Sequence, residues 1–398
     1  MDLFWQQFDK ISAFLWDPFL LLALGGAGVF CTLRFGFVQL RGFFPACRQV
    51  FHGAFSQKAS QDGMSSFSAL MTAVAAQVGT GNLAGAAAAI AVGGPGAVFW
   101  MWVSAFFGMA TAFGEAVLAQ KFRRKVDGTV TGGPVYYIKA AFPGLSGRLL
   151  AAIFAFLVVF SMGFVGAMVQ SNAISNAFQE ALGIPTWIVG VVLAVVAAFI
   201  FLGGVTRIAA VTEKLVPVMA CFYLVGGLVM LIANITNLPH AFALIFEGAF
   251  NPQAILGGAV GIGVREAMRY GVARGLFSNE AGMGSTPHAH AMAKVEKPQD
   301  QGVVAMVCVF IDTFVVLTLN ALVVISTLYT SDGILAGGYT GAATEIVNKT
   351  NLTQTAFGTV FGAQAGAIFV AIALFFFAFS TILSWNLFGK INVAYLFG

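Results

Sequence analysis

Apolar residues run through this chain in long blocks, separated by short polar and basic clusters. Many blocks exceed the ~18 residues that a helix needs to cross hydrocarbon, and none shows the alternation of a barrel strand. The pattern predicts nine spans, at 18–38, 67–92, 95–120, 148–173, 184–203, 212–233, 254–293, 302–328 and 356–386. The expected fold class is an all-α polytopic membrane protein with no soluble domain and no long linker.

Two spans depart from uniform hydrophobicity. Within the second, Ala76-Gln77-Val78-Gly79-Thr80-Gly81-Asn82 places two glycines, a hydroxyl and two amides in an apolar stretch. An unpaired backbone group is costly in lipid, so an interruption there points to a site where freed N–H and C=O groups hold a solute or ion. The seventh carries Arg265, Glu266, Arg269, Arg274 and Glu280, too many charges for a lipid-facing helix. It also holds a second Gly-rich interruption, Ser278-Asn279-Glu280-Ala281-Gly282-Met283-Gly284-Ser285. These spans are five apart and run in opposite directions. Interrupted helices at matching positions of two inverted halves mark the midplane site of a secondary transporter, and the leucine-transporter fold is the type example of that rule. The expected organisation is one transport domain, 1–398, with an extra helix at 18–38, a first five-helix repeat at 67–233 and an incomplete second repeat at 254–398.

Composition agrees with a membrane protein: 59% of residues are hydrophobic and 9% charged, against about a quarter charged in soluble domains. Most of the twenty basic residues fall on one face of the nine-span topology, including Arg34, Arg41, Arg48, Lys58, Arg123, Arg124, Lys125, Lys214 and Lys297, while Lys10 and Lys349 fall on the other. By the positive-inside rule the rich face is cytoplasmic and the N-terminus is outside; the expected location is a bacterial plasma or inner membrane. The net charge of +4 therefore sets topology and does not imply nucleic acid. No cleavable signal peptide is apparent. Cys31, Cys47, Cys221 and Cys308 lack metal-type spacing and read as packing residues. No nucleophile elbow, phosphate loop or metal-protease helix is present, so neither an enzyme nor an ATP-driven pump is expected.

Several polar residues are candidates for the transport site. A half-helix N-terminus at Thr80, Gly81 and Asn82 suits a carboxylate, and the carbonyls of Ala75 and Val78 before the break suit a small hard cation. Ser380 and Thr381 could complete an oxygen cage around Na⁺ or simply bond back to their own helix. Gln170, near Asn172, could recognise a solute or hold helices together. Of the intramembrane acids, Glu266 can pair with Arg269. Glu280 follows a break, and Glu115 and Asp312 have no obvious partner in sequence, leaving each a structural acid or a proton site. His288 and His290 are two residues apart, on different helix faces, which does not suit a metal.

The chain resembles the alanine-or-glycine:cation symporters. The resemblance lies in Gly79-Thr80-Gly81-Asn82, Gly93-Gly94-Pro95-Gly96-Ala97-Val98-Phe99-Trp100-Met101-Trp102, Phe113-Gly114-Glu115 and Thr131-Gly132-Gly133-Pro134. It continues in Arg274-Gly275-Leu276-Phe277-Ser278-Asn279-Glu280-Ala281-Gly282-Met283-Gly284-Ser285 and Phe379-Ser380-Thr381. It implies a leucine-transporter-like core preceded by one extra helix, moving alanine or glycine with Na⁺ and using no organic cofactor. It also implies that Thr80 and Gly81 meet the substrate carboxylate. Phe277, Ser278, Asn279 and Gln170 would complete the pocket, with Gly79, Gly81 and Gly282 leaving room and Phe277 and Met283 limiting it. Ala75, Val78, Ser380 and Thr381 would bind Na⁺. Family members look about two helices longer at the C-terminus. Alternatives are proton coupling through Glu115 or Asp312, and an amino-acid binder that does not transport. The partners expected are the amino acid, Na⁺ and the bilayer, with a monomer favoured.

Overall fold

A computed structural model describes residues 2–15, 19–53, 64–126, 129–251, 263–330, 333–338 and 351–398. Residues 254–262 of the expected seventh span, together with Lys58 and Lys349, lie outside the described residues.

Helices carry almost all of the structure. Two precede the bundle or skirt it: α1 (Asp2–Phe14) and α3 (Phe43–Gly53), with α2 (Leu20–Arg34) between them as the first apolar helix. The second expected span is a bent pair, α4 (Ser66–Gln77) and α5 (Gly81–Gly93), which meet at 47°. Then come α6 (Ala97–Lys121), α7 (Pro134–Ala141), α8 (Leu145–Leu182), α9 (Thr186–Phe201) and α10 (Gly204–Ala233). The order continues with α11 (Leu238–Phe250), α12 (Val264–Asn279), α13 (Pro287–Ala291), α14 (Pro298–Tyr329), α15 (Leu352–Phe361) and α16 (Ala363–Phe397). One two-stranded hairpin joins α6 to α7, with β1 (Arg124–Val126) antiparallel to β2 (Thr129–Thr131) and Arg124 opposite Thr131.

Each of the nine expected spans has a helix at its position, but the boundaries differ. The fourth does not stop at 173: α8 continues to Leu182, where Gly183 closes it in the left-handed conformation, φ 69°. The ninth expected span is two helices, because Gly362 at φ 85° separates α15 from α16. The amphipathic α11 lay outside every expected span, since 13 residues are too few to register in a hydropathy window.

Burial divides the helices into two classes. Helices α4, α14 and much of α16 are packed on all sides, and their side chains form the main core with α6 and α10. On α9, by contrast, Trp187, Val191, Val195 and Phe199 form an exposed apolar stripe at four-residue spacing. On α8, Phe156, Phe160 and Phe164 do the same. A contiguous exposed apolar belt of this kind is the surface of a multi-pass membrane protein, whose solvent is lipid. Both α12 and α14 pack along α6, and the second half of α8 packs along α16. The two breaks therefore meet at the centre of the bundle.

Candidate functional site

The first break begins where the α4 ladder fails. The Val78 N–H still reaches Val74 O at 2.8 Å. The Gly79 N–H, which would have bonded to Ala75, instead donates to Asn82 Oδ1 at 3.0 Å. The next amide, Thr80 N–H, donates to Gln170 Oε1 of α8 at 3.2 Å. The chain then re-enters helix through a π turn at Gly81–Gly85, a distortion that recurs at functional sites.

This diversion releases the carbonyl of Ala75. It accepts from Thr381 Oγ1 at 3.0 Å and Ser380 Oγ at 3.3 Å. Each hydroxyl has a second acceptor within reach, Phe377 O of its own helix, at 3.0 and 2.8 Å, so its one hydrogen is shared between the two carbonyls. Both hydroxyls are fully buried. The two sequence readings of this pair thus coexist: the hydroxyls bond to their own helix and also gather around the freed carbonyl. The result is a cluster of uncharged oxygens, the donor set that a hard cation prefers. Gly79 adjoins it: a β-carbon there would lie 2.6 Å from Thr381 Oγ1 and 3.3 Å from Gln170 Oε1.

Beyond Thr80 lies a cavity of about 390 Å³. Thr80 and Gly81 form its floor and Phe277 one wall. A stripe along α8 forms another, at Val169, Asn172, Ala173, Asn176, Ala177 and Glu180, and Arg274 and Gln354 complete it. Glu180 is exposed, so the cavity reaches the surface at that end. Of the expected substrate residues, Thr80, Gly81 and Phe277 line this space. Gln170 sits beneath it, buried against the Thr80 amide. Ser278 backs the floor, because a β-carbon on Gly81 would stand 3.2 Å from Ser278 Cα.

Asn82, Asn279 and Gly282 do not line the cavity. Asn82 is a tie: besides holding Gly79, its amide donates to Asp312 Oδ1 at 2.6 Å and to Asp312 O at 3.1 Å. Asn279 Nδ2 donates to Thr313 Oγ1 at 3.3 Å, and its Oδ1 accepts from the Ala281 N–H at 3.1 Å. Asp312 joins the two breaks, accepting from Asn82, from Ser278 Oγ at 3.1 Å and from Thr313 Oγ1 at 2.9 Å. Sequence reasoning found no partner for Asp312 because its partners are neutral donors: the adjacent Thr313, and Ser278 and Asn82 at 34 and 230 positions away.

The second break is closed differently. Glu280 ends α12 in the left-handed conformation, φ 56°. The two freed N–H groups of Gly282 and Gly284 donate to Glu115 Oε2 and Oε1, at 2.9 and 3.0 Å. The Glu280 carboxyl accepts from Ser285 Oγ at 2.5 Å and from Trp385 Nε1 at 2.7 Å. Gln77 at the first break donates to Asn279 O at 2.7 Å. Farther along, His288 is held between Ser285 O and Asn392, and His290 meets Gln301. Glu266 caps α12 by accepting from the Gly263 N–H at 3.1 Å.

Asn320, on α14, was missed in the sequence. It donates to Asn82 O at 2.9 Å and Leu83 O at 3.0 Å, satisfying carbonyls that the π turn leaves exposed. The signal was a lone amide in an apolar span, which reads equally well as interhelical glue. The α8 stripe was missed because the fourth span was ended at 173; the amides and acid at 172, 176 and 180 carry its four-residue period.

A family model described as "Sodium:alanine symporter family" matches residues 1–398. Among curated proteins, an uncharacterized transporter of Haemophilus influenzae is 42% identical over 392 residues, 98% of this chain and 82% of the relative. The sodium/alanine symporter AgcS of Methanococcus maripaludis is 43% identical over 394 residues, 98% of this chain and 83% of the relative. A probable sodium/glutamine symporter of Bacillus subtilis, GlnT, is 38% identical over 382 residues, 96% of this chain and 75% of the relative.

Proposed function

The chain belongs to the sodium:alanine symporter family, and from that premise we propose that it carries small neutral amino acids, alanine and glycine, into the cell together with Na⁺. It is a transporter and not an enzyme. The reading of the site rests on one observation above the others. The break at Gly79 frees the Ala75 carbonyl onto a buried hydroxyl pair and, two residues later, opens a cavity floor of helix-terminal amides.

On this reading Na⁺ is held by Ala75 O, Val78 O, Ser380 Oγ and Thr381 Oγ1. The amino acid's carboxylate takes the place of Gln170 Oε1 at the Thr80 and Gly81 amides, where the half-helix dipole favours negative charge. Gln170 then turns to the bound substrate. Phe277 covers the side chain, and Ser278 limits its size from behind Gly81. Asn82, Asn279 and Gly282 serve the site by shaping the breaks. Gly79 lies against both Thr381 and Gln170, so filling the cation site stiffens the segment that carries the Thr80 amide. That supplies the differential affinity that coupling requires.

The architecture we infer is the leucine-transporter-like one, with α2 as the extra helix and 67–233 and 254–398 as inverted halves. The cavity mouth faces outward, as does the N-terminus, in a bacterial plasma membrane.

Uptake of labelled alanine into proteoliposomes tests the reading. An inward Na⁺ gradient should drive accumulation, and K⁺ in its place should abolish it. Accumulation that follows a proton gradient and ignores Na⁺ would replace Na⁺ with H⁺ as the coupling ion.

A further inference from the structure

We propose that the mouth of the cavity is a second, outer amino-acid site, in which Arg274 takes the carboxylate and Glu180 the ammonium group of a zwitterion. The proposal rests on the symporter reading but concerns a different place in the molecule from the floor at Thr80 and Gly81.

Three observations carry it. First, Arg274 and Glu180 line one cavity while making no ion pair with each other. Arg274 forms no hydrogen bond or ion pair among the described residues, in contrast to Arg123 and Arg207, whose guanidinium groups donate to Ala293 O and Phe199 O. Glu180 gives one oxygen to Asn351 Nδ2 at 2.8 Å, and its second oxygen is uncommitted. The half-buried guanidinium is open to a ligand in the cavity, and its fork matches a carboxylate in two-point geometry.

Second, the polar side chains that α8 contributes to a mostly apolar lining share one face. Asn172, Asn176 and Glu180 follow at four-residue spacing along α8, so they form one ridge facing the cavity. Arg274 stands about one helical turn before Phe277 on α12 and lines the same cavity. The charges therefore sit outward of the aromatic wall, while the floor at Thr80 and Gly81 is neutral.

Third, the space is too large for one small amino acid. The cavity of about 390 Å³ falls within the ~300–1,000 Å³ range that takes drug-sized ligands. One alanine on the floor leaves the mouth unfilled. A zwitterion caught between opposite charges there would concentrate substrate above the floor and be released downward when the floor empties.

The test is binding of L-alanine to the purified full-length chain in detergent with Na⁺ present, followed by ligand-detected saturation-transfer NMR, which reads weak sites. The wild-type titration should show two phases. Arg274→Gln should remove the weaker phase and keep the tighter one, and Arg274→Lys should restore part of it. Gly81→Val should do the reverse, removing the tight phase only, and the double variant should bind neither way. A single phase in a wild-type chain that still transports alanine, or two phases that persist in Arg274→Gln, would overturn the outer site. A wild-type chain that binds no alanine would sink the symporter reading as well. If Gly81→Val fails to fold, the Arg274→Gln arm decides alone. In uptake, Arg274→Gln should raise the alanine KM on the order of tenfold, the loss of about one charge-assisted contact, with kcat kept.

Discussion

The two helix breaks carry the same signal in sequence, a Gly-rich polar interruption within a span, yet the structure closes them in opposite ways. At the second, a carboxylate from α6 takes both freed amides: Glu115 accepts from Gly282 and Gly284. Glu280 is also fully engaged, with Ser285 and Trp385. That break is a finished structural joint. At the first, one freed amide rests on a side chain that can turn away, Gln170 on Thr80. The freed carbonyl of Ala75 faces two hydroxyls that already have a second acceptor at Phe377. On the proposed reading, a broken helix in lipid becomes a ligand site where its orphan groups are held by exchangeable partners. What surrounds the break decides this, not the break itself.

Variants can sharpen that contrast. The largest effect on stability is expected for Glu115→Ala, which strands two buried amides. At ~1–3 kcal/mol for each unsatisfied group, the fold should lose about 2–6 kcal/mol, read as a fall in thermal midpoint in detergent. Alanine affinity of the surviving folded protein should hold. If instead stability were kept and binding lost, the second break would be the ligand site and the contrast would be reversed.

Next comes Gly81→Val. Its side chain would meet Ser278 backbone, 3.2 Å from a β-carbon, an overpacking cost of ~1–3 kcal/mol. Here function should fail before folding does: uptake should vanish while the thermal midpoint drops less than in Glu115→Ala. The smallest effect is expected for Trp385→Phe. It removes one hydrogen bond to Glu280, about 1 kcal/mol, and should lower the midpoint slightly with no change in Na⁺ dependence. A strong loss of Na⁺ activation in that variant would mean that the second joint takes part in cation coupling.

Long apolar helices were legible in the sequence because hydrocarbon thickness imposes a length and a composition on a crossing helix; among the described residues five are long and apolar enough to cross, or six with the bent pair α4 and α5. The breaks were legible because glycine and amides are expensive in lipid and stand out. Their closure was not legible. Glu115 finds its donors in the backbone of residues 167 and 169 positions away, and backbone amides leave no mark in a sequence. Asp312 and Asn82 are separated by 230 positions, so only the folded bundle brings them together. The short helix α11 escaped for a different reason: it runs for 13 residues, too few to span. The boundary between α15 and α16 escaped because one glycine, Gly362, makes it. Ser380 and Thr381 were found as a pair, but their shared acceptor at Ala75 depends on Gly79 turning its amide to Asn82, a local event that spacing does not encode.

The most direct measurement is the Na⁺ activation curve of alanine uptake in proteoliposomes, taken for the wild type and for Thr381→Ala side by side. The hydroxyl is one of the oxygens proposed to hold Na⁺, so its loss should shift half-activation to Na⁺ concentrations on the order of tenfold higher, equivalent to about 1.4 kcal/mol, with the fold intact. An unchanged activation curve in Thr381→Ala would contradict the placement of the cation at the first break.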